Sequence, residues 1–101
     1  MAQFDVYRNI NETTRELFPY LLDVQNNLFS SLQTRVVVPL ILGIKPIKKL
    51  NPLFVIEGKS VFMSTADMAG ISLDSCGELV LNLEDKRYEV LDALDFLVNG
   101  F

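Results

Sequence analysis

The run Gln33-Thr34-Arg35-Val36-Val37-Val38-Pro39-Leu40-Ile41-Leu42 is unusually rich in β-branched residues and reads as a β-strand. Pro39 cannot donate to a ladder, so the strand is expected to lie at an edge or to carry a bulge or a break there. Strand signals continue on both sides. Upstream, Gln3-Phe4-Asp5-Val6-Tyr7-Arg8 alternates polar and apolar residues, which sets Phe4 and Val6 on one face, with Tyr7 near its edge. Residues 9–15 are polar and predict a loop, and Pro19 to Gln25 predicts a second strand. Downstream, residues 44–51 hold Pro46 and three lysines and predict a helical turn or loop. Leu53 to Ser64 predicts a hairpin that turns at Glu57-Gly58-Lys59. Ile71 to Leu73 and Leu79 to Leu81 are weaker strand signals.

The last element follows a different period. Asn82 is a suitable N-cap, with Glu84 and Asp85 where a helix dipole favours acids. Val90, Leu91, Leu94, Leu97, Val98 and Phe101 gather in an arc of roughly 120° on a helical wheel. Glu89, Asp92, Asp95 and Asn99 form an acidic stripe on the other side, and Phe96 falls among them. A ring there is either covered by another part of the fold or offered to a partner. Short antiparallel strands followed by one amphipathic helix predict a mainly β, single-domain chain: a small barrel or two packed sheets with a helix laid across.

Composition narrows the function. The 101 residues carry nine basic and thirteen acidic side chains, a net charge of −4 and a pI near 4.6. Binding to phosphate backbones relies on clustered cations, so direct nucleic-acid binding is not expected and a partner with a basic face is favoured. Half the residues are hydrophobic, which fits either a well-filled core or an oligomer. Cys76 is the single cysteine and reads as a small hydrophobe, so no intrachain disulfide can form. The N-terminal residues have neither a basic nor an apolar signal segment, and the apolar runs are too short to span a bilayer. A cytoplasmic protein is the expectation.

Catalytic signatures are missing. The chain has no histidine, so the usual general base and zinc ligand are absent, and one cysteine cannot build a metal site. No phosphate-cradling or nucleophile-elbow motif occurs. Glu84-Asp85 and the Asp92/Asp95 pair read as dipole partners and a solvated face. Thr34-Arg35 could serve phosphoester cleavage, but a lone strand arginine is more often half of a structural ion pair. The chain is expected to be non-enzymatic and to need no cofactor or metal.

Several segments resemble the CcdB toxin family in order and spacing. These are Gln3-Phe4-Asp5-Val6-Tyr7, Leu22-Asp23-Val24-Gln25 with Leu28, Thr34-Arg35-Val36-Val37-Val38-Pro39-Leu40, Leu50-Asn51-Pro52, Ile56, Thr65-Ala66-Asp67-Met68-Ala69, and the close on Gly100 and one apolar residue. The resemblance implies an SH3-like barrel with a C-terminal helix, the fold shared with MazF-type ribonucleases, assembled as a homodimer. It also implies a toxin that binds the DNA gyrase A subunit, traps the cleaved-DNA complex and is released by a CcdA-type antitoxin. Carried over by position, the gyrase contacts are Leu28, Phe29, Asp95, Asn99, Gly100 and Phe101, and the antitoxin contacts are Phe4, Tyr7 and Arg8. Asn99 stands where some family members have tryptophan, Asp95 where asparagine is common, and Phe101 where isoleucine is typical. Two other readings stay open: a CcdB-like protein that binds antitoxin without poisoning gyrase, and a MazF-like endoribonuclease that would depend on Arg35.

Overall fold

A computed structural model describes residues 1–100; Phe101, the last position assigned to gyrase, lies outside the described residues. Seven strands form one antiparallel sheet: β1 (Asp5–Asn9), β2 (Tyr20–Asp23), β3 (Thr34–Ile41), β4 (Leu53–Ile56), β5 (Lys59–Met63), β6 (Ala69–Ser72) and β7 (Cys76–Asn82). The helix α1 (Arg87–Asn99) follows. The strands run in the order β4-β5-β3-β2-β1-β7, and β6 pairs with the first half of β3. The sheet curls into a half-barrel. Side chains from alternate strand positions fill its concave face: Val6, Tyr20, Leu22, Val38, Leu40, Phe54, Ile56, Val61 and Met63. Leu83, Val90 and Ala93 belong to the same buried cluster, so α1 seals the open side.

Pro39 sits inside a central strand, not at an edge. Its neighbour β2 pairs normally through Leu21, while on its other side β3 changes partners, from β6 up to Val37 to β5 from Leu40. The Pro39 carbonyl points to that side and accepts from the Ser64 N–H at 2.9 Å. The missing proline N–H therefore falls where the ladder is already interrupted.

The hairpin between β4 and β5 turns on two residues, Glu57 and Gly58, with Lys59 already paired to Ile56. Both central residues have positive φ, 53° and 76°, as a type I′ turn requires. Glycine takes that conformation freely, whereas Glu57 is held there by its side chain. Its carboxylate accepts two hydrogen bonds from Arg8 at 2.8 and 2.6 Å and one from the Tyr20 hydroxyl at 2.6 Å. Arg8 also reaches Glu78 on β7. This cluster ties the hairpin at one end of the sheet to β1 and β7 at the other.

Arg8 and Tyr20 hold the Glu57 carboxyl down to about 2 from the ordinary 4.5. A depressed folded-state value stabilises the fold above pH 4.5 and loses that contribution as pH falls towards 2. The group is exposed, so the effect is modest. Glu57→Gln should flatten the acid limb of the stability–pH profile in that window, read as urea midpoints of the two chains.

The helix starts later than the sequence suggests. Asn82 is the last residue of β7, and its side chain accepts from the Glu84 N–H at 2.8 Å in a turn that leads into a 3-10 turn at Glu84–Lys86, whose N-cap is Leu83. The α-helical turns begin only at Arg87. The buried face is also narrower than the apolar arc. Val90 and Ala93 are buried and Leu94 partly so, while Leu91, Leu97 and Val98 are exposed, Val98 at 75%.

Candidate interaction site

Two surface regions carry the positions that the resemblance assigns to gyrase. The first is the loop after β2. Asn26 caps a 3-10 turn at Asn27–Phe29, its side chain accepting from the Leu28 N–H at 2.9 Å. Leu28 is 83% exposed and Phe29 54%. Adjacent aliphatic and aromatic side chains held out into water on an ordered turn are costly to leave bare and suit a docking anchor.

The loop rests on a buried platform. Arg35 and Asp23 are 1% and 0% exposed and face each other across β3 and β2. The Arg35 Nε and Nη2 groups donate to the two Asp23 oxygens at 2.8 and 3.0 Å. Gln25 extends the platform: its Oε1 accepts from the Val36 N–H at 3.1 Å and its Nε2 donates to the Phe29 carbonyl at 3.0 Å. Asp23, Gln25 and Arg35 thus fix the turn that carries Leu28 and Phe29. They stand within the family-like segments of the sequence, but the spacing alone gives no sign that they meet.

The second region is the end of α1. Asp95 and Asn99 share one helix face, and Asn99 Nδ2 donates to Asp95 Oδ1 at 2.6 Å. Gly100 closes the helix in the left-handed region, φ 78°, and its N–H donates to the Phe96 carbonyl at 2.8 Å. Phe96 is half-buried. With Glu89, Asp92, Asp95, Lys49 and Pro52 it lines a groove of about 370 Å³ between the helix and the 49–52 loop, so its ring is partly covered by the fold.

Among the described residues, no hydrogen bond joins the Leu28 loop to this helix end. The loop is tied instead to the N-terminal segment and the start of the helical region. Asn27 accepts from the Gln3 N–H, the Gln3 carbonyl accepts from Asn82, and the Asn82 side-chain oxygen accepts from the Glu84 N–H.

Of the three positions assigned to antitoxin, only Arg8 is accessible. Phe4 has a positive φ of 72° and turns its ring into the core. Tyr7 is buried on the opposite face, its hydroxyl donating to Asp5 at 2.9 Å. Burial and the neighbouring carboxylate push the Tyr7 phenol well above its ordinary range. Burial opposes ionisation of Asp5, but bonds from Asn82, the Ala2 N–H and Tyr7 outweigh it and hold the carboxyl low. The loop after β1 is more accessible. Asn11, Thr14 and Leu17 form one wall of a groove of about 610 Å³ over the second face of the sheet, with Leu21, Val37, Pro39 and Ile71 along it.

Cys76, on β7, is half-buried, and burial raises its thiol, which disfavours the reactive thiolate. Among the described residues no cluster of His, Cys, Asp or Glu could hold a metal ion, and no helix is long and apolar enough to cross a membrane.

A curled antiparallel half-barrel closed by one C-terminal helix defines a small β-barrel protein, here with bare apolar side chains on a braced loop. Residues 3–100 match the CcdB protein family. The chain belongs to that family, and so to the toxins of toxin–antitoxin modules. It is also similar to a solved structure described as an endoribonuclease in complex with its cognate antitoxin from Mycobacterial species. The TM-score is 0.78 at 15% identity, covering 97% of this chain and 94% of that one. At that identity the likeness is one of fold.

Proposed function

We propose that the chain is a gyrase poison: a homodimeric toxin that binds the DNA gyrase A subunit, traps the cleaved-DNA complex, and is neutralised by a CcdA-type antitoxin. The observation that carries this reading is the exposure of Leu28 and Phe29 on a turn held by the Asp23–Arg35–Gln25 platform, in a chain whose match to its family is nearly complete. The acidic end of α1 supplies carboxylate acceptors for a basic cleft. Exposed Tyr88, Leu91 and Val98 on the helix are apolar surface that a second copy or a partner would cover.

Antitoxin fits best along the groove walled by the loop after β1. Arg8 does not line that groove, and two carboxylates already engage its guanidinium. A non-enzymatic action is supported by Arg35. On the ribonuclease reading this guanidinium would have to reach a phosphate, yet it is buried and committed to Asp23. The net charge of −4 also opposes RNA.

Calorimetry against the gyrase A subunit tests the proposal. Leu28→Asp with Phe29→Ser should weaken binding by about 2 kcal/mol or more, roughly thirtyfold, while the fold is kept because both side chains lie outside the core. Removing Gly100 and Phe101 should weaken it as well. Unchanged gyrase affinity in both variants would overturn these contacts, and no gyrase binding by the parent chain would leave antitoxin binding as the retained function. A monomeric mass at micromolar concentration would remove the dimer.

A further inference from the structure

Of the asparagines in the sequence, Asn99 alone is followed by glycine. The pair stands where α1 ends. Asn99 is the exposed last residue of the helix, and Gly100 lies in the left-handed region with open space around its α-carbon, where an added Cβ would meet nothing within 4 Å. One hydrogen bond, to the Phe96 carbonyl, holds the Gly100 nitrogen.

We propose that Asn99 is a site of spontaneous deamidation that acts as a clock on the end of α1. The Gly100 nitrogen, released from Phe96 and giving up its proton, attacks the Asn99 side-chain carbonyl carbon. A carbon–nitrogen bond forms to close a five-membered succinimide. The bond from that carbon to Nδ2 breaks, and the nitrogen leaves as ammonia, taking up the proton. Water then opens the ring at either carbonyl, giving aspartate or, with the main chain rerouted through the side-chain carbon, isoaspartate. Water is the only co-reactant and no electron changes hands.

Position favours this asparagine over the others. Glycine has no side chain to hinder the approach of its nitrogen. Asn51 precedes Pro52, which has no N–H to give up, and Asn9 and Asn82 precede bulky residues at strand ends. The protecting bond to Phe96 is made at the C-cap of α1, and helix ends fray.

The product weakens the turn that produced it. Nδ2 now donates to Asp95; a carboxylate in its place sets two negative charges at i and i+4. It also places a charge at the helix C-terminus, where the dipole disfavours anions. Isoaspartate further adds a main-chain methylene beside the Gly100 cap. A partner that clamps the helix end would keep Gly100 on Phe96 and slow the clock. The chemistry is independent of which partner that is.

The full chain, aged in mildly alkaline buffer at physiological temperature, tests this by peptide mapping and by labelling with an isoaspartyl methyltransferase. Isoaspartate should appear first at Asn99 and be absent from that peptide in Asn99→Gln. An intact Asn99 while other asparagines react would overturn the proposal. Amide exchange supplies a second readout: Asn99→Asp should speed exchange of the Gly100 N–H, and equal rates would overturn the loosening of the helix end.

Discussion

Replacing Arg35 with alanine is expected to destabilise the chain by about 3–5 kcal/mol, because it leaves the Asp23 carboxylate buried with no countercharge. The pair is fully enclosed and its two bonds are short and parallel, so no water is at hand to take over from the guanidinium. Against a total stability of about 5–15 kcal/mol for a domain, that loss brings the chain close to unfolding. The ion pair itself is not the source of so large a number: replacing both partners together, Asp23→Leu with Arg35→Met, should recover most of the stability. Urea midpoints of the single and double variants measure it. A single variant that loses less than about 1 kcal/mol would mean that water reaches Asp23 after all. Because Gln25 ties the same strands to the Phe29 carbonyl, amide exchange in the Leu28 turn should accelerate in Arg35→Ala even where the rest of the sheet is intact.

This platform marks the boundary of what the sequence makes legible. The 53–64 hairpin is visible beforehand because alternation and a glycine at the turn are local signals. The β-branched run at 34–41 is visible for the same reason. The joining of Asp23, Gln25 and Arg35 depends on the register between β2 and β3, which no local pattern states; only the expectation that a lone strand arginine is a structural ion pair pointed at it. Of the edge, bulge or break that Pro39 allows, the structure takes an interruption of pairing on one side of a central strand, which the residue type alone does not select. A proline is excluded from a central strand only where its own N–H would have to donate, and here a change of neighbour means that the ladder on that side asks only for its carbonyl. The helix cap misleads by a few residues, since Asn82 bonds to the Glu84 N–H ahead of a 3-10 turn and the helix proper is capped at Lys86. Of the assigned contacts, Leu28 and Phe29 stand out in the open, whereas Phe4 and Tyr7 are drawn inward, Phe4 by its positive φ and Tyr7 by its bond to Asp5, which a carry-over by position does not show.

Val90 and Leu91 give the same signal on a helical wheel, and substitution should separate them sharply. Val90 is completely enclosed and belongs to the same core cluster as the inward side chains of the strands. Val90→Asp places a carboxyl there with no partner, at a cost of about 4 kcal/mol or more, one of the few single changes able to unfold a domain of this size. Leu91→Asp sits on the exposed side and should change stability by no more than about 0.5 kcal/mol. The pH dependence carries the sign of the mechanism. Burial raises the new carboxyl's folded-state pKa above its unfolded value, so the defect is smallest below the unfolded value, in acid. It grows as pH rises towards the folded value and is constant beyond it. Urea midpoints measured from acid to neutral pH should therefore converge for Val90→Asp and its parent at the acid end and diverge towards neutrality. Equal effects at the two positions would mean that α1 packs through its whole apolar arc, leaving Leu91 no bare surface to offer a partner.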